Sequence, residues 1–276
     1  EIAQNNKNII LITGDLGFGV LDDYIKKFPK QYINAGVAEQ NMTGIASGLG
    51  MDGKTVFTYS IGNFNTLRCL EQIRNDACYH DSNVNIISIG GGFSYGALGY
   101  SHHATEDIAI MRAIPNLRVF CPCDFWEVQE ITKKVVKLGG VNYIRIDKSS
   151  ANTNNISKEF VVGKGRVLSF GDDVAIIATG GIVELALKAR EELLKSNISC
   201  KVISMHTIKP IDKEIIIECA KNHNALVTLE EHSIIGGLGG AVSEILMQES
   251  VYPKKFKMMG LESNFSTIVG SQSYLR

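Results

Sequence analysis

Tyr32-Ile33-Asn34-Ala35-Gly36-Val37-Ala38-Glu39-Gln40-Asn41-Met42 is the stretch that decides the fold. Its first three residues read as a short strand and Ala35-Gly36 as a tight turn. Val37 to Leu49 then reads as a helix, with Met42, Ile45, Ala46 and Leu49 at helical spacing. Strand, turn and amphipathic helix in succession is the unit of an α/β protein. Outward from here the unit recurs. Asn8-Ile9-Ile10-Leu11-Ile12-Thr13 is a buried strand of the parallel type, ending at Gly14-Asp15-Leu16-Gly17. Further strands are expected at 55–59, 85–89, 118–120 and 142–146, and helices at 67–78 and 105–113. Another helix starts at Asp124, a capping residue that Glu127 completes as a capping box.

Residues 149–157, SSANTNNIS, are polar and read as a linker. Strands at 174–178, 200–204 and 225–229, with helices at 182–194 and 238–248, then repeat the pattern at smaller size. The expectation is two consecutive α/β domains with mostly parallel sheets, 1–155 and 156–276. The 276 residues suffice for two cores.

Composition narrows the function classes. Lys plus Arg number 28 against 29 Asp plus Glu, with no basic block, so a nucleic-acid partner is not expected. No run of 18 apolar residues is present, and the first residues lack the pattern of a signal peptide, so neither a membrane span nor secretion is expected. The six cysteines are irregularly spaced, which implies no disulfide framework and fits a reducing cytoplasm. Cys121-Pro122-Cys123 binds a metal only with two further ligands; otherwise it is a pair of small residues at a strand end.

Open parallel sheets bind ligands beyond the C-terminal ends of their strands. Asp15, Glu39, residues 59–64, residues 90–103 and Asp124 occupy such places. Glu39 is either a first-turn acid that favours the helix or a carboxylate set there for chemistry. Tyr59 and Phe64 are either packing or a wall for a flat heterocycle. His102 and His103, in a glycine-rich loop, present imidazoles to a polar substrate; a metal there lacks a third ligand at suitable spacing. No GxxxxGK[ST] loop occurs, and Gly14, Gly17 and Gly19 do not make a dinucleotide fingerprint. A G-x-S-x-G nucleophile elbow is also missing.

Three ordered motifs carry a resemblance. The run 32–42 resembles the pyrimidine-domain motif of the transketolase family. Ser101-His102-His103-Ala104-Thr105-Glu106-Asp107-Ile108-Ala109-Ile110-Met111-Arg112-Ala113-Ile114-Pro115-Asn116 resembles that family's second long motif. Arg68 with Glu71-Gln72-Ile73-Arg74 sits between them. The likeness extends over nearly the whole chain and matches the C-terminal part of a full-length transketolase, or the smaller subunit of split forms.

The resemblance implies thiamine diphosphate as cofactor and transfer of a two-carbon ketol unit from a ketose to an aldose. It gives Glu39 the hydrogen bond to the aminopyrimidine ring that drives loss of the thiazolium C2 proton. Tyr59 and Phe64 match the aromatic pair of the pyrimidine pocket, with Arg68 and Asp15 on the cofactor side. The segment from Tyr59 to Arg68 is about two residues longer than the family pattern, which puts the aromatics' positions in question. His102 matches the substrate-side histidine, and His103 stands where many relatives carry glutamine. Lys148 holds the place of a phosphate-gripping arginine, with Arg145 beside it; lysine lacks the bidentate fork.

The family's GDG motif, which holds the diphosphate and Mg2+ (or Ca2+), does not occur. The resemblance therefore implies a separate diphosphate-binding, N-terminal-type transketolase subunit, a dimer of heterodimers, and a sugar or sugar-phosphate substrate. Three rival readings remain: the beta subunit of a 2-oxo acid dehydrogenase, a deoxyxylulose-phosphate-synthase-like enzyme, and a non-catalytic partner subunit.

Overall fold

Six strands fill the first half of the chain: β1 (Ile9–Thr13), β2 (Tyr32–Asn34), β3 (Thr55–Ile61), β4 (Val84–Ile89), β5 (Leu117–Phe120) and β6 (Val141–Ile146). Six more follow: β7 (Arg166–Ser169), β8 (Val174–Ala178), β9 (Cys200–Ser204), β10 (Thr207–Lys209), β11 (Ala225–Ser233) and β12 (Phe256–Leu261). These come from a computed structural model that describes residues 1–151, 153 and 159–276. The first sheet has the order β10-β5-β6-β4-β3-β1-β2 and the second β12-β11-β8-β9-β7. Among the described residues, only the β10–β5 and β7–β9 pairs are antiparallel. Two α/β units with mostly parallel sheets are therefore present. The expected boundary at 155 lies outside the described residues. β10 lies beyond that boundary yet joins the first sheet, a crossing that no local pattern announced.

The register puts the site in place. Ile61, Ile89 and Ile146 are partners across β3, β4 and β6, so the loops leaving these strands start side by side on one sheet edge. β1 lies next to β3, and Thr13 pairs with Tyr59 at the same end. The helix expected over 67–78 forms differently. It is a 3-10 turn at Leu67–Cys69, a short α-turn at Leu70–Gln72 and a π-turn at Ile73–Cys78. Such irregular turns often accompany functional sites. No helix among the described residues is long and apolar enough to cross a membrane. All six cysteines are free and buried.

The domains meet through buried charge. Arg145, on β6, is 1% exposed and donates to Asp107 Oδ2 at 2.9 Å, Asp147 Oδ1 at 3.3 Å, and the carbonyls of Ala104 at 3.0 Å and Glu231 at 2.9 Å. A second junction sits at the capped helix Phe125–Leu138. Asp124 Oδ1 accepts from Glu127 N, while Glu127 Oε2 accepts from Cys123 N, both at 2.8 Å; the reciprocal bond thus falls one residue earlier than a capping box. Arg166 of the second domain pairs with both acids at 3.0 Å.

Removing one partner of a buried, hydrogen-bonded ion group leaves the others unpaired, at a cost of about 3–5 kcal/mol. Arg145→Ala is expected to lower the unfolding free energy by that amount in urea denaturation. A loss below about 1 kcal/mol would show that the Arg145 junction contributes little.

Candidate active site

Glu39 opens the helix Glu39–Met51, and the turn after β2 drives its side chain under the sheet edge. The carboxylate is 1% exposed. Oε1 accepts from Ser60 Oγ at 3.3 Å, and Oε2 pairs with Arg68 Nη1 at 2.6 Å. A Cβ on Gly14, at the end of β1, would come within 3.3 Å of Oε1, so the strand end itself walls the acid in. Three strand ends thus converge on one carboxylate.

From Glu39 a row of contacts runs across the loops. The Arg68 guanidinium carbon lies 4.2 Å from the Phe64 ring centre. Phe64 meets the His102 ring edge-on at 5.1 Å. His102 lies 6.4 Å from Tyr95, and Lys148 Nζ is 3.9 Å from the Tyr95 centre. Aromatic pairs and cation–π contacts at these distances are attractive and directional. Burial, helped by nearby His103, pushes the His102 imidazole below the ordinary histidine range. It is therefore neutral at pH 7, able to donate through one nitrogen and accept through the other.

Beside this row is a cavity of about 390 Å³. Its walls include Asn63, Phe64 and Arg68 from the first domain, Tyr100 from the loop, and Leu261 and Phe265 from the second domain. The glycine-rich loop after β4 is fixed from several sides. Asn63 Nδ2 donates to the carbonyls of Ser101 at 3.3 Å and His103 at 2.7 Å. Phe93 N donates to Glu231 Oε1 at 2.6 Å, and Gln272 reaches the same carboxylate at 3.0 Å. At Gly92, with φ +60, a Cβ would fall 2.5 Å from Glu231 Oε1, so only glycine admits this acid.

The structure brings Glu39, Phe64, Arg68, His102 and Lys148 into one row, keeps His103 beside it, and places Tyr59, Asp15 and Arg145 off it. Tyr59 and Ser60 alternate across β3. Tyr59 consequently faces a second, apolar groove with Leu21, Tyr24, Phe28 and Ile87, and forms no common wall with Phe64. Asp15 is exposed and accepts from Asn34 Nδ2 at 2.9 Å, away from the cavity. His103 is buried; Nε2 contacts the Gly96 carbonyl at 3.2 Å and the ring meets Phe93 at 5.0 Å, so it braces the loop as well as lining the cavity. Arg145 is not beside Lys148 on the Tyr95 ring: it is buried and bound to four acceptors at the domain junction. Asn63 and Tyr95 fell within the expected stretches 59–64 and 90–103 without being singled out, and Glu231 was not expected at the site. The one signal for Tyr95 and Glu231 was the density of glycine at 90–92, which marks close approach by something bulky.

The residues fit one part of thiamine diphosphate and not the other. A buried carboxylate, an aromatic wall and an adjoining cavity suit the aminopyrimidine ring. A ring nitrogen that reaches the acid would compete with Arg68, whose side chain is 42% exposed. Nothing comparable among the described residues serves a metal-bound diphosphate. Among the described residues, Cys123-Asp124-Glu127 and Glu218-Cys219-His223 group metal-ligating atoms. Arg166 already fills the first, Glu218 of the second pairs with Lys201 at 2.5 Å, and neither lines the cavity.

Known proteins share this arrangement of domains. The model of the transketolase pyrimidine-binding domain matches residues 1–153, and that of the transketolase C-terminal domain matches residues 163–268. An apulose-4-phosphate transketolase subunit of Phocaeicola vulgatus is 37% identical over 254 residues, covering 91% of this chain and 81% of its own. A 6-deoxy-6-sulfo-D-fructose transketolase subunit of Clostridium sp. is 34% identical over 278 residues, covering 100% of this chain and 85% of its own. A solved split-gene transketolase, described as an inactive beta4 tetramer, superposes with a TM-score of 0.85 at 38% identity, over 95% of this chain and 86% of that one.

Proposed function

This chain belongs to the transketolase family, and from that membership we propose that it is the pyrimidine-activating subunit of a two-chain, thiamine diphosphate-dependent transketolase. It transfers a two-carbon ketol unit from a phosphorylated ketose to an aldose. The observation that carries this reading is the unbroken row from Glu39 through Arg68, Phe64 and His102 to Tyr95 and Lys148. One end offers a buried acid to a ring, the middle offers imidazole to sugar oxygens, and the far end offers a cation.

Each residue then has a task. The cofactor, when bound, supplies the nucleophilic carbon and the electron sink. Glu39 shares a proton with the aminopyrimidine nitrogen in a water-poor site, where such a bond is strong. Phe64 gives the ring a flat wall. His102, neutral, donates to or accepts from the sugar hydroxyl and carbonyl as charge moves. Lys148 pairs with the anionic end of the substrate. The two relatives above carry a phosphate- and a sulfonate-ended sugar in their descriptions, which supports an anionic end here too.

Magnesium and the diphosphate belong to a partner subunit of the N-terminal transketolase type, in a dimer of heterodimers. The relative described as inactive when built of beta chains alone supports this division. A cytoplasmic location is consistent with six free cysteines.

The test of the chemistry is a ketose-to-aldose transfer assay on the reconstituted complex, run beside an assay for carbon dioxide release from 2-oxo acids. Decarboxylation without transfer would sink the reading. His102→Ala is expected to lower kcat about 10²-fold with cofactor affinity nearly unchanged, because contacts made to moving charge count only in the transition state. Equal loss of cofactor affinity would place His102 on the cofactor instead. The depressed imidazole also sets a sign for pH. Activity that needs neutral His102 persists as pH falls through the ordinary histidine range, and is lost only below it. An acid limb at or above that range would contradict the neutral role.

A further inference from the structure

Tyr95 touches neither the acid nor the ring wall, yet it occupies the place where the cation is held. Lys148 Nζ sits 3.9 Å from its ring centre, and among the described residues no carboxylate lies within ion-pair distance of that ammonium. The ring is the surface on which this cation rests. The ring is itself fixed: a Cβ on Gly90 would fall 2.2 Å from Tyr95 Cδ2 and 2.3 Å from Cε2, so one edge of the ring abuts a glycine with φ +92. The backbone is pegged as well. Lys148 N donates to Ser94 Oγ at 3.2 Å, and Ser94 Oγ donates to the Gly91 carbonyl at 2.7 Å. Burial raises the Tyr95 phenol above its ordinary range, which keeps the hydroxyl protonated and adds no competing anion.

We infer that Tyr95 is a positioning residue that holds Lys148 at a set distance from His102 and so gives the site its selectivity for sugars with an anionic end. The inference rests on the proposed ketol-transfer reading. A lysine alone is a mobile point charge on a flexible stem. Seated on a ring that is locked to Gly90 and lies 6.4 Å from His102, it becomes a fixed mark at one end of the row. A phosphate or sulfonate is then met at one distance from the sugar oxygens that His102 contacts.

The experiment compares kcat/KM for a phosphorylated and an unphosphorylated aldose acceptor in the reconstituted complex. Tyr95→Ala is expected to lower the ratio of the two about tenfold, mainly through KM, and Tyr95→Phe to restore it. Lys148→Ala should lower the same ratio at least as far, and the double variant should fall no further than Lys148→Ala alone. Tyr95→Leu, which keeps bulk without a π-face, should behave like the alanine and guards against a collapsed loop. A ratio that stays at the wild-type value in Tyr95→Ala, failure of Tyr95→Phe to restore it, or additive losses in the double variant would overturn the inference and leave ketol transfer standing. Complete absence of transfer in the wild-type complex would instead overturn the underlying reading, and this inference with it.

Discussion

Glu39→Gln should remove exchange of the thiazolium C2 proton almost completely, by about 10³-fold or more, in the complex of this chain with a diphosphate-binding partner. The amide keeps the shape of the acid. It also keeps an oxygen for Ser60 Oγ, now 3.3 Å from Oε1, but cannot share a proton with a ring nitrogen. It further ends the ion pair with Arg68, at 2.6 Å the shortest link in the row. The fold should survive, because Arg68 is partly solvated and its charge need not be buried unpaired. Proton–deuterium exchange at C2, followed by NMR after rapid quench, reports the step directly and needs no sugar. Exchange at the wild-type rate in the variant would refute the assignment of Glu39, whatever the sugar substrates prove to be.

The second large effect is the silence of the chain by itself. With excess thiamine diphosphate and Mg2+, the isolated chain should give no measurable ketol transfer, and activity should appear on adding a diphosphate-binding partner. Both oxygens of Glu39 are already engaged, by Ser60 and Arg68. No metal-ligating cluster among the described residues faces the cavity. A ring alone offers too little area to hold the cofactor, since the binding energy that fixes it resides largely in the charged diphosphate. Apolar side chains in the segments that follow β1, β2 and β3 also await cover: Phe18, Val20, Val37 and Leu67 are all exposed. Calorimetry with the cofactor and a transfer assay on each component and on the mixture decide the matter. Full activity from the isolated chain would show that it holds the diphosphate by itself, without a partner.

Much of this was legible in the order of residues. Short apolar runs place β1, β3, β4 and β6 within a residue or two of where they lie, because burial on both sheet faces leaves a strong local signature. Asp124 and Glu127 announced their helix by capping chemistry, which is local as well. The family resemblance named Glu39, Phe64, Arg68, His102 and Lys148 among its site residues although the first and last stand about a hundred positions apart. Their contacts became visible only once parallel pairing set Ile61, Ile89 and Ile146 side by side. Other features exist only in the folded chain. Whether Tyr59 faces the site depends on the two-residue alternation of β3 counted from a register that the sequence does not print. Arg145 reads as a companion of Lys148 at the substrate until Asp107 and Glu231, from distant parts of the chain, close around it together with neighbouring Asp147. The strand β10 is three residues long, too short for any periodicity, and exists because β5 offers it an open edge. Tyr95 became a platform only because Gly90, five residues earlier, leaves room for its ring and Lys148, on another strand's end, comes to rest on it. Local patterning reports what a residue buries; which side chains then meet is set by long-range pairing, whose energy no single segment contains.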